Sequence, residues 1–160
     1  MGKKKAEKEP EGIETIAENR RARYDYEIGE TFEAGMELRG SEVKSLRARH
    51  VNFGDTYAII KSGEVFLVGL KIEAYKEATH EQHDVDRTRR LLLHADEIRR
   101  LHRAIEHKGC TLVPLKLYFK KGWAKVRLGV AKGKTKSDRR EDLKRRDADR
   151  EVARAMRRGG

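Results

Sequence analysis

Cysteine is almost missing from this chain of 160 residues. Cys110 stands alone, so no disulfide can close within the chain and no zinc site can be built from cysteines. Long apolar runs are missing too. None approaches the roughly 20 residues that span a bilayer, and the first residues lack the apolar stretch of a secretion signal. These absences point to a reducing, cytoplasmic setting without a membrane. Hydrophobic residues make up only 37% of the chain and aromatics 6%, low for a globular domain. The deficit is uneven. Residues 1–12 and 132–160 hold few large apolar side chains, and the last 29 residues contain no aromatic. The stretch between them, about 120 residues, suffices for one small domain and not two.

What the chain has in excess is positive charge. Lys and Arg number 38 against 27 Asp and Glu, a formal net charge of +11. That balance places it among binders of nucleic acid or anionic surfaces. Lipid is the weaker choice, because polar and acidic residues interrupt the basic tail and leave no broad apolar face to insert. The tail, 132–160, carries twelve Lys and Arg against six Asp and Glu. It cannot bury enough surface to offset its conformational entropy, which predicts disorder in the free chain. Yet acids precede bases at helical spacing: Glu141 with Arg145, Asp142 with Arg146, Asp147 with Arg150, Glu151 with Arg154. Such pairs stabilise a helix by roughly 0.2–0.5 kcal/mol each, too little to hold one alone. The expectation is an arm that becomes helical on a polyanion.

Periodicity predicts a mainly β domain over 13–131, between a leader at 1–12 and the tail at 132–160. Tyr24, Tyr26 and Ile28, then Phe32, Ala34, Met36 and Leu38, alternate with polar or small residues. This reads as a strand pair or one long bent strand, with Gly29 or Gly35 at a bulge. Ser41 reads as the N-cap of a short helix over 42–47. Residues 56–60 and 64–70 read as strands joined by Lys61-Ser62-Gly63, the second covered on both faces because Val65-Phe66-Leu67-Val68 does not alternate. Residues 76–90 are polar and aperiodic, a loop. A helix over 96–108 follows, with Ile98, Leu101 and Ile105 on one face and Gly109 as its stop. Strands over 115–119 and 124–130 form a hairpin through Lys120-Lys121-Gly122. The sum is about six antiparallel strands with two or three small helices, most simply a closed or partly closed β-barrel.

Catalytic patterns fail on spacing. Gly129 to Thr135 resembles a nucleotide-binding P-loop, but three residues separate its glycines where the motif needs four, and no apolar amphipathic helix follows. His80 and His83, with Glu81, Asp84 and Asp86, lie in the aperiodic segment, where nothing fixes a metal site or an acid–base pair. Ser41 and Thr56 read as a cap and a strand residue, and no nucleophile has a base at working spacing. Neither catalysis nor a cofactor is expected.

The basic groups fare better. Asn19-Arg20-Arg21-Ala22-Arg23 precedes Tyr24 and Tyr26, Lys44, Arg47 and Arg49 surround the short helix, and Arg87, Arg89 and Arg90 end the polar loop. Arginine offers a fork of donors to phosphate, and tyrosine a face for an unstacked base. Taken singly these read as solvated charges and core-facing tyrosines. With the tail they point to RNA, bound in a steeply salt-dependent way.

Several segments together resemble one family. They are Ile16-Ala-Glu-Asn-Arg-Arg-Ala-Arg23, Phe32-Glu-Ala-Gly35, Gly40-Ser-Glu-Val-Lys-Ser-Leu-Arg47, Arg89-Arg-Leu-Leu-Leu-His94, Leu112-Val-Pro-Leu-Lys-Leu-Tyr-Phe119 and Gly129-Val-Ala-Lys-Gly-Lys134. In this order they resemble the small protein B family, the SsrA-binding proteins, over nearly all of 13–145. The resemblance implies an OB-fold-like antiparallel β-barrel with a basic C-terminal tail, disordered when free and helical on the ribosome. It also implies a non-enzymatic adaptor. Such a protein binds the transfer-RNA-like domain of transfer-messenger RNA and delivers it to stalled ribosomes, where the incomplete peptide is tagged. Elongation factor Tu would join through the RNA complex, and the chain would act as a monomer.

By motif match, Asn19, Glu33 and Leu92 fall on the surface for the transfer-RNA-like domain, with Arg20, Arg21, Arg23, Tyr26, Lys44 and Arg47 as neighbours. Glu33 is an acceptor whose charge makes sense only in a positive surround. Lys132, Lys134, Lys136, Ser137, Asp138, Arg139 and Arg140 match the segment that enters the small-subunit decoding centre. Ala155 and Met156 match the apolar pair of the tail helix, and Ala148, Val152, Ala155 and Met156 share a helix face suited to the empty message channel. Three positions depart from the family. Ser137 stands where a stacking aromatic or His is usual, Thr135 where Lys is usual, and Val85-Asp86 replaces Pro-Thr. Two other classes remain open on the residues alone: a generic OB-type nucleic-acid binder, and an RNA-processing enzyme using the segment 80–86.

Overall fold

The computed structural model describes residues 12–74, 83–107, 109–134 and 136–158, with the backbone alone at 136–139, 141–142 and 156–158. Two long strands, β8 (Cys110–Lys120) and β9 (Trp123–Gly133), form its longest hairpin. They turn through Lys121 and Gly122, both at positive φ (50° and 82°), the primed geometry that matches strand twist. β4 (Tyr57–Lys61) and β5 (Glu64–Val68) turn in the same way at Ser62 and Gly63. β1 (Ile13–Glu18), β2 (Tyr26–Met36) and β7 (Arg89–Leu92) complete a seven-stranded sheet ordered β1-β8-β4-β5-β7-β2-β9. Because β9 also pairs with β8, six of these strands close into a ring of antiparallel pairs. β8 is long enough to hold β4 beside its first half and β1 beside its second. β3 (Val51–Asn52) and β6 (Lys71–Ile72) make a small separate pair.

Alternation builds the interior. Phe32 and Ala34 of β2, Val65 and Leu67 of β5, Leu91 of β7, Leu112 and Leu117 of β8, and Val126 and Leu128 of β9 are buried in one cluster. α3 (Ala95–Ile105) adds Leu101, with no exposure, and α2 (Gly40–Arg47) adds Leu46. Each such aliphatic side chain contributes roughly 1.5–3 kcal/mol by leaving water. A second, smaller cluster unites Ala22 of α1 (Arg20–Asp25) with Val113, Leu115 and Ala131, and Tyr26 and Ile28 pack against it. This cluster seats α1 on the sheet.

The expected mainly β architecture is present as this ring, with four helices among the described residues where two or three were expected. β2 is one bent strand, and its pairing with β9 shifts between Ile28 and Thr31, next to Gly29 as anticipated. Several local expectations are corrected. β1 and α1 occupy 13–25, where no regular structure was predicted before Tyr24, and Tyr24 itself is helical. The N-cap of α2 is Arg39, whose N–H donates to Glu42 Oε1 at 3.0 Å. Ser41 instead bonds through Oγ to His83 Nδ1 at 2.9 Å. In β5 only Val65 and Leu67 are fully buried, while Phe66 and Val68 are half-buried. The polar segment ends as strand β7, and its His83 is buried with Nε2 on the Ile72 carbonyl at 2.8 Å. His80 and Glu81 lie outside the described residues. Gly129 to Gly133 are strand, so their backbone donors serve the sheet and not a phosphate.

The tail forms α4 (Lys136–Arg158), a helix in the unpartnered chain, and the disorder expected of the free tail has no counterpart among the described residues. Its described side chains are all exposed, Leu143 and Val152 among them. Among the described residues it meets α1. Lys134 donates from its backbone N to Asp25 O (3.1 Å) and from Nζ to Arg23 O (2.9 Å), and the Arg146 guanidinium lies 5.9 Å from the Tyr24 ring centre.

Candidate nucleic-acid interface

Period-two alternation that sends Val126 and Leu128 inward sends Lys125 and Arg127 outward on β9. The register sets Tyr118 beside Lys125 and Lys116 beside Arg127, while Arg127 on its other side pairs with Glu33 of β2. Glu33 thus sits on the outer face among Lys116, Lys120, Lys125 and Arg127. Its carboxylate accepts from the Tyr118 hydroxyl at 2.5 Å and from Lys120 Nζ at 3.3 Å, with an Arg127 guanidinium nitrogen at 4.0 Å. Partial burial alone would raise its pKa. The hydrogen bonds from Tyr118 and Lys120, with the charges of Lys120 and Lys125, outweigh this and hold it below the ordinary carboxyl value of 4.5. Burial, then the hydrogen bond to Glu33, pushes the Tyr118 phenol up, so it stays a donor. The face therefore presents one fixed acceptor in a cationic field.

Leu92 lies beside this centre, opposite Gly35 in the β2–β7 register and half-exposed at 50%. A cleft lined by Glu33, Gly35, Leu92, His94, Glu97 and Lys125 joins them. Gly35 keeps it open: a Cβ there would stand 3.3 Å from the Leu92 Cβ and 3.7 Å from Lys125 Nζ.

Asn19 lies elsewhere. Its Oδ1 accepts from Ala22 N (3.3 Å) as the N-cap of α1, and its Nδ2 donates to Pro114 O (2.9 Å). Each end of that amide makes one bond to the fold and so seats α1, which displays Arg20, Arg21 and Arg23 to solvent. Arg21 pairs with Asp25 at 3.2 Å. Tyr26 is half-buried and lines a second cleft with Asn19, Arg21 and Tyr57. Tyr26 and Glu33 are seven positions apart on β2, which puts the two clefts about 20 Å apart.

Lys44 and Arg47 lie exposed on α2, and Arg47 covers the Phe119 ring at 4.9 Å. Lys132 is exposed near the end of β9, while Lys134 holds the Arg23 carbonyl. Arg140 and Ala155 are exposed on α4. Lys136, Ser137, Asp138, Arg139 and Met156 lie on the same helix, their side chains outside those described.

The basic groups at the end of the polar loop are corrected. Arg89 is fully buried and paired through Nε to Glu42, also fully buried, with a further bond from Nη1 to Leu70 O at 2.6 Å. Arg87 reaches the same carboxylate at 2.5 Å, and Arg90 pairs with Glu64 at 3.0 Å. Arg89 and Arg87 thus hold the fold, whereas Arg90 remains exposed at the surface. Sequence reasoning missed Tyr118, Lys120, Lys125 and Arg127, although their alternation with inward apolar residues is legible. Among the described residues no cluster of His, Cys, Asp or Glu could hold a metal, and no helix is long and apolar enough to cross a membrane.

Known proteins share this design. The family model described as SmpB protein matches residues 16–158. An SsrA-binding protein of Synechocystis sp. is 55% identical over 94% of this chain and 99% of its own length. One from Geobacillus thermodenitrificans is 54% identical over 89% and 92%. A solved chain described by the words "tmRNA-SmpB: a journey to the center of the bacterial ribosome" is similar with a TM-score of 0.65 and 50% identity, over 79% of this chain and 93% of that one.

Proposed function

This chain belongs to the SmpB protein family, and on that premise we propose that it is an RNA-binding adaptor of ribosome rescue. It binds the transfer-RNA-like domain of transfer-messenger RNA and delivers it to stalled ribosomes for trans-translation. The observation that carries this reading is the Glu33 face, where one fixed carboxylate sits among Lys120, Lys125 and Arg127 beside exposed Leu92. Cations anchor phosphates wherever they lie, whereas a fixed acceptor rewards only a base or ribose donor in the right place.

The work divides along the chain. The strand ring of 13–131 holds the RNA, with α1 presenting Arg20, Arg21 and Arg23 to its backbone. The tail of 132–160 probes the empty decoding centre with Lys132 to Arg140 and lays Ala155 and Met156 in the message channel. Ser137 offers a hydroxyl there and no stacking face. Elongation factor Tu joins through the RNA, the protein acts as a cytoplasmic monomer, and it performs no chemistry of its own.

Competition binding tests the reading. Full-length protein should prefer transfer-messenger RNA over bulk transfer RNA at matched salt, and a chain ending at Lys134 should keep that preference while losing peptide tagging on stalled ribosomes. Equal affinity for unrelated single strands would make the chain a generic nucleic-acid binder.

A further inference from the structure

Trp123 is the chain's only tryptophan, and it is 74% exposed. An indole left this open contributes little to the core. Its position in the sheet gives it a neighbourhood. Ala124, Val126 and Leu128 pack toward the core, so Trp123, Lys125 and Arg127 share the outer face of β9. Across the hairpin the register pairs Trp123 with Lys120, whose Nζ is held by Glu33. Trp123 is therefore the end member of the Glu33 face, set at the turn made by Lys121 and Gly122.

The chemistry at that end is specific in kind. An aromatic face stands beside Lys120, Lys121 and Lys125, and Glu33, the carboxylate that holds Lys120, is already bonded to it. Apolar area alone would suit a protein, and a wet cationic rim alone any polyanion. A π-face flanked by cations suits an unstacked nucleobase between two phosphates. Base-paired A-form RNA keeps its base faces covered, so such a contact selects a loop, bulge or unpaired end.

We infer that Trp123 stacks on an unpaired base of the bound RNA at the turn end of the Glu33 face, with the flanking phosphates on Lys121 and Lys125. This rests on the proposed function and adds the RNA feature that the face reads. None of the motif-matched residues, Asn19, Glu33 and Leu92, provides a stacking face.

Tryptophan emission of the full chain reports on this residue alone. Titration with transfer-messenger RNA should quench it to a plateau and shield it from iodide. Stacking of one base predicts that W123A weakens binding about 5- to 100-fold while W123F stays within a few-fold of wild type. The salt slope of W123A should match wild type, since no charge is removed, whereas K125A should lower it by about one. Far-UV circular dichroism should be unchanged in each variant. The inference is overturned, with the function intact, if wild type and W123A bind the RNA equally and wild-type emission does not move. It is also overturned if phosphatidylglycerol vesicles shift the emission to the blue and RNA leaves it unaltered. If neither protein prefers transfer-messenger RNA to bulk transfer RNA, the function falls and the inference with it.

Discussion

Arg89 and Glu42 form an ion pair in which neither side chain has any exposure to solvent. Arg89 also donates to the carbonyls of Leu70 and Val85, and Glu42 also accepts from Arg87 and the Arg39 N–H. The pair ties α2 to β7 and to the segment before it. Burying two charges costs several kcal/mol each, offset only while every partner is present. Removing one partner should be far worse than removing both. E42A or R89M alone is expected to lower unfolding stability by about 3–5 kcal/mol in urea titration, and E42L with R89M by much less. Equal and additive losses would show that the two residues do not act as a unit.

The same carboxylate predicts an acid limb. Burial opposes ionisation of Glu42, but hydrogen bonds from Arg87, Arg39 and Arg89 prevail and hold its pKa below 4.5. Glu33 is lowered in the same sense. A depressed folded-state pKa means that the unfolded chain takes up the proton first. The stabilisation is thus complete above about pH 4.5 and is lost as pH falls through the folded values. Urea midpoints should be level from pH 7 to 5 and drop below that. The E42Q midpoint should start lower but fall less steeply between pH 4.5 and 3, where wild type is still losing this contribution.

Sequence alone made the paired strands and α3 legible, because each carries its own signal: period two, and Leu101 with its helical neighbours. It failed where structure depends on a distant partner. Alternation along β7 puts Arg89 on the side of Leu91 and Arg90 on the side of Leu92, but what lets an arginine occupy the inward side is Glu42, 47 positions away. β1 was missed because Ile13 and Ile16 fit no strict alternation and the strand exists by pairing with β8. α1 was hidden by the alternation of Tyr24 and Tyr26, although Asn19 is a typical cap residue. Asn19, placed by its motif on the RNA surface or in support of it, caps α1 and ties it to the Pro114 carbonyl, a link to a residue 95 positions away that no local signal shows.

Gly129 shows how a motif can mislead. It resembled the first glycine of a phosphate loop, yet its reason is packing. A Cβ there would stand 2.9 Å from Ile28 Cγ2 and 3.0 Å from Leu115 Cδ1. G129A should therefore destabilise the fold by roughly 1–3 kcal/mol, as overpacking does. Ile28→Ala removes the Cγ2 methyl that a Cβ at position 129 would meet, so I28A should recover part of the loss in a double-mutant cycle. No recovery would place the strain in the backbone.

The end of β9 fixes where the tail can be cut. Tyr26, Glu27 and Ile28 pair with Gly133, Lys132 and Ala131, and Ala131 is fully buried. A chain ending at Lys134 keeps this ladder and the bond to Asp25. Its melting temperature should lie within a few degrees of full length. A chain ending at Val130 loses Ala131 from the cluster under α1 together with these three pairs, and should melt well below it. If the two melt alike, α1 does not depend on the end of β9.

Little of the fold touches α4 among the described residues. Its described side chains are exposed, and it meets the fold through Lys134 and the Arg146–Tyr24 contact. An exposed cation–π contact contributes about 0.5–1 kcal/mol, and each acid–base pair along the helix roughly 0.2–0.5. These sums are small beside the conformational cost of ordering the helix, and the pairs are screened by salt. The circular dichroism difference between full length and a chain ending at Lys134 should therefore show helix that decreases as salt rises to 1 M. Y24A should lower it further at every salt concentration. A difference spectrum indifferent to both changes would mean that α4 is held by something other than the charge pattern along it and its contact with α1.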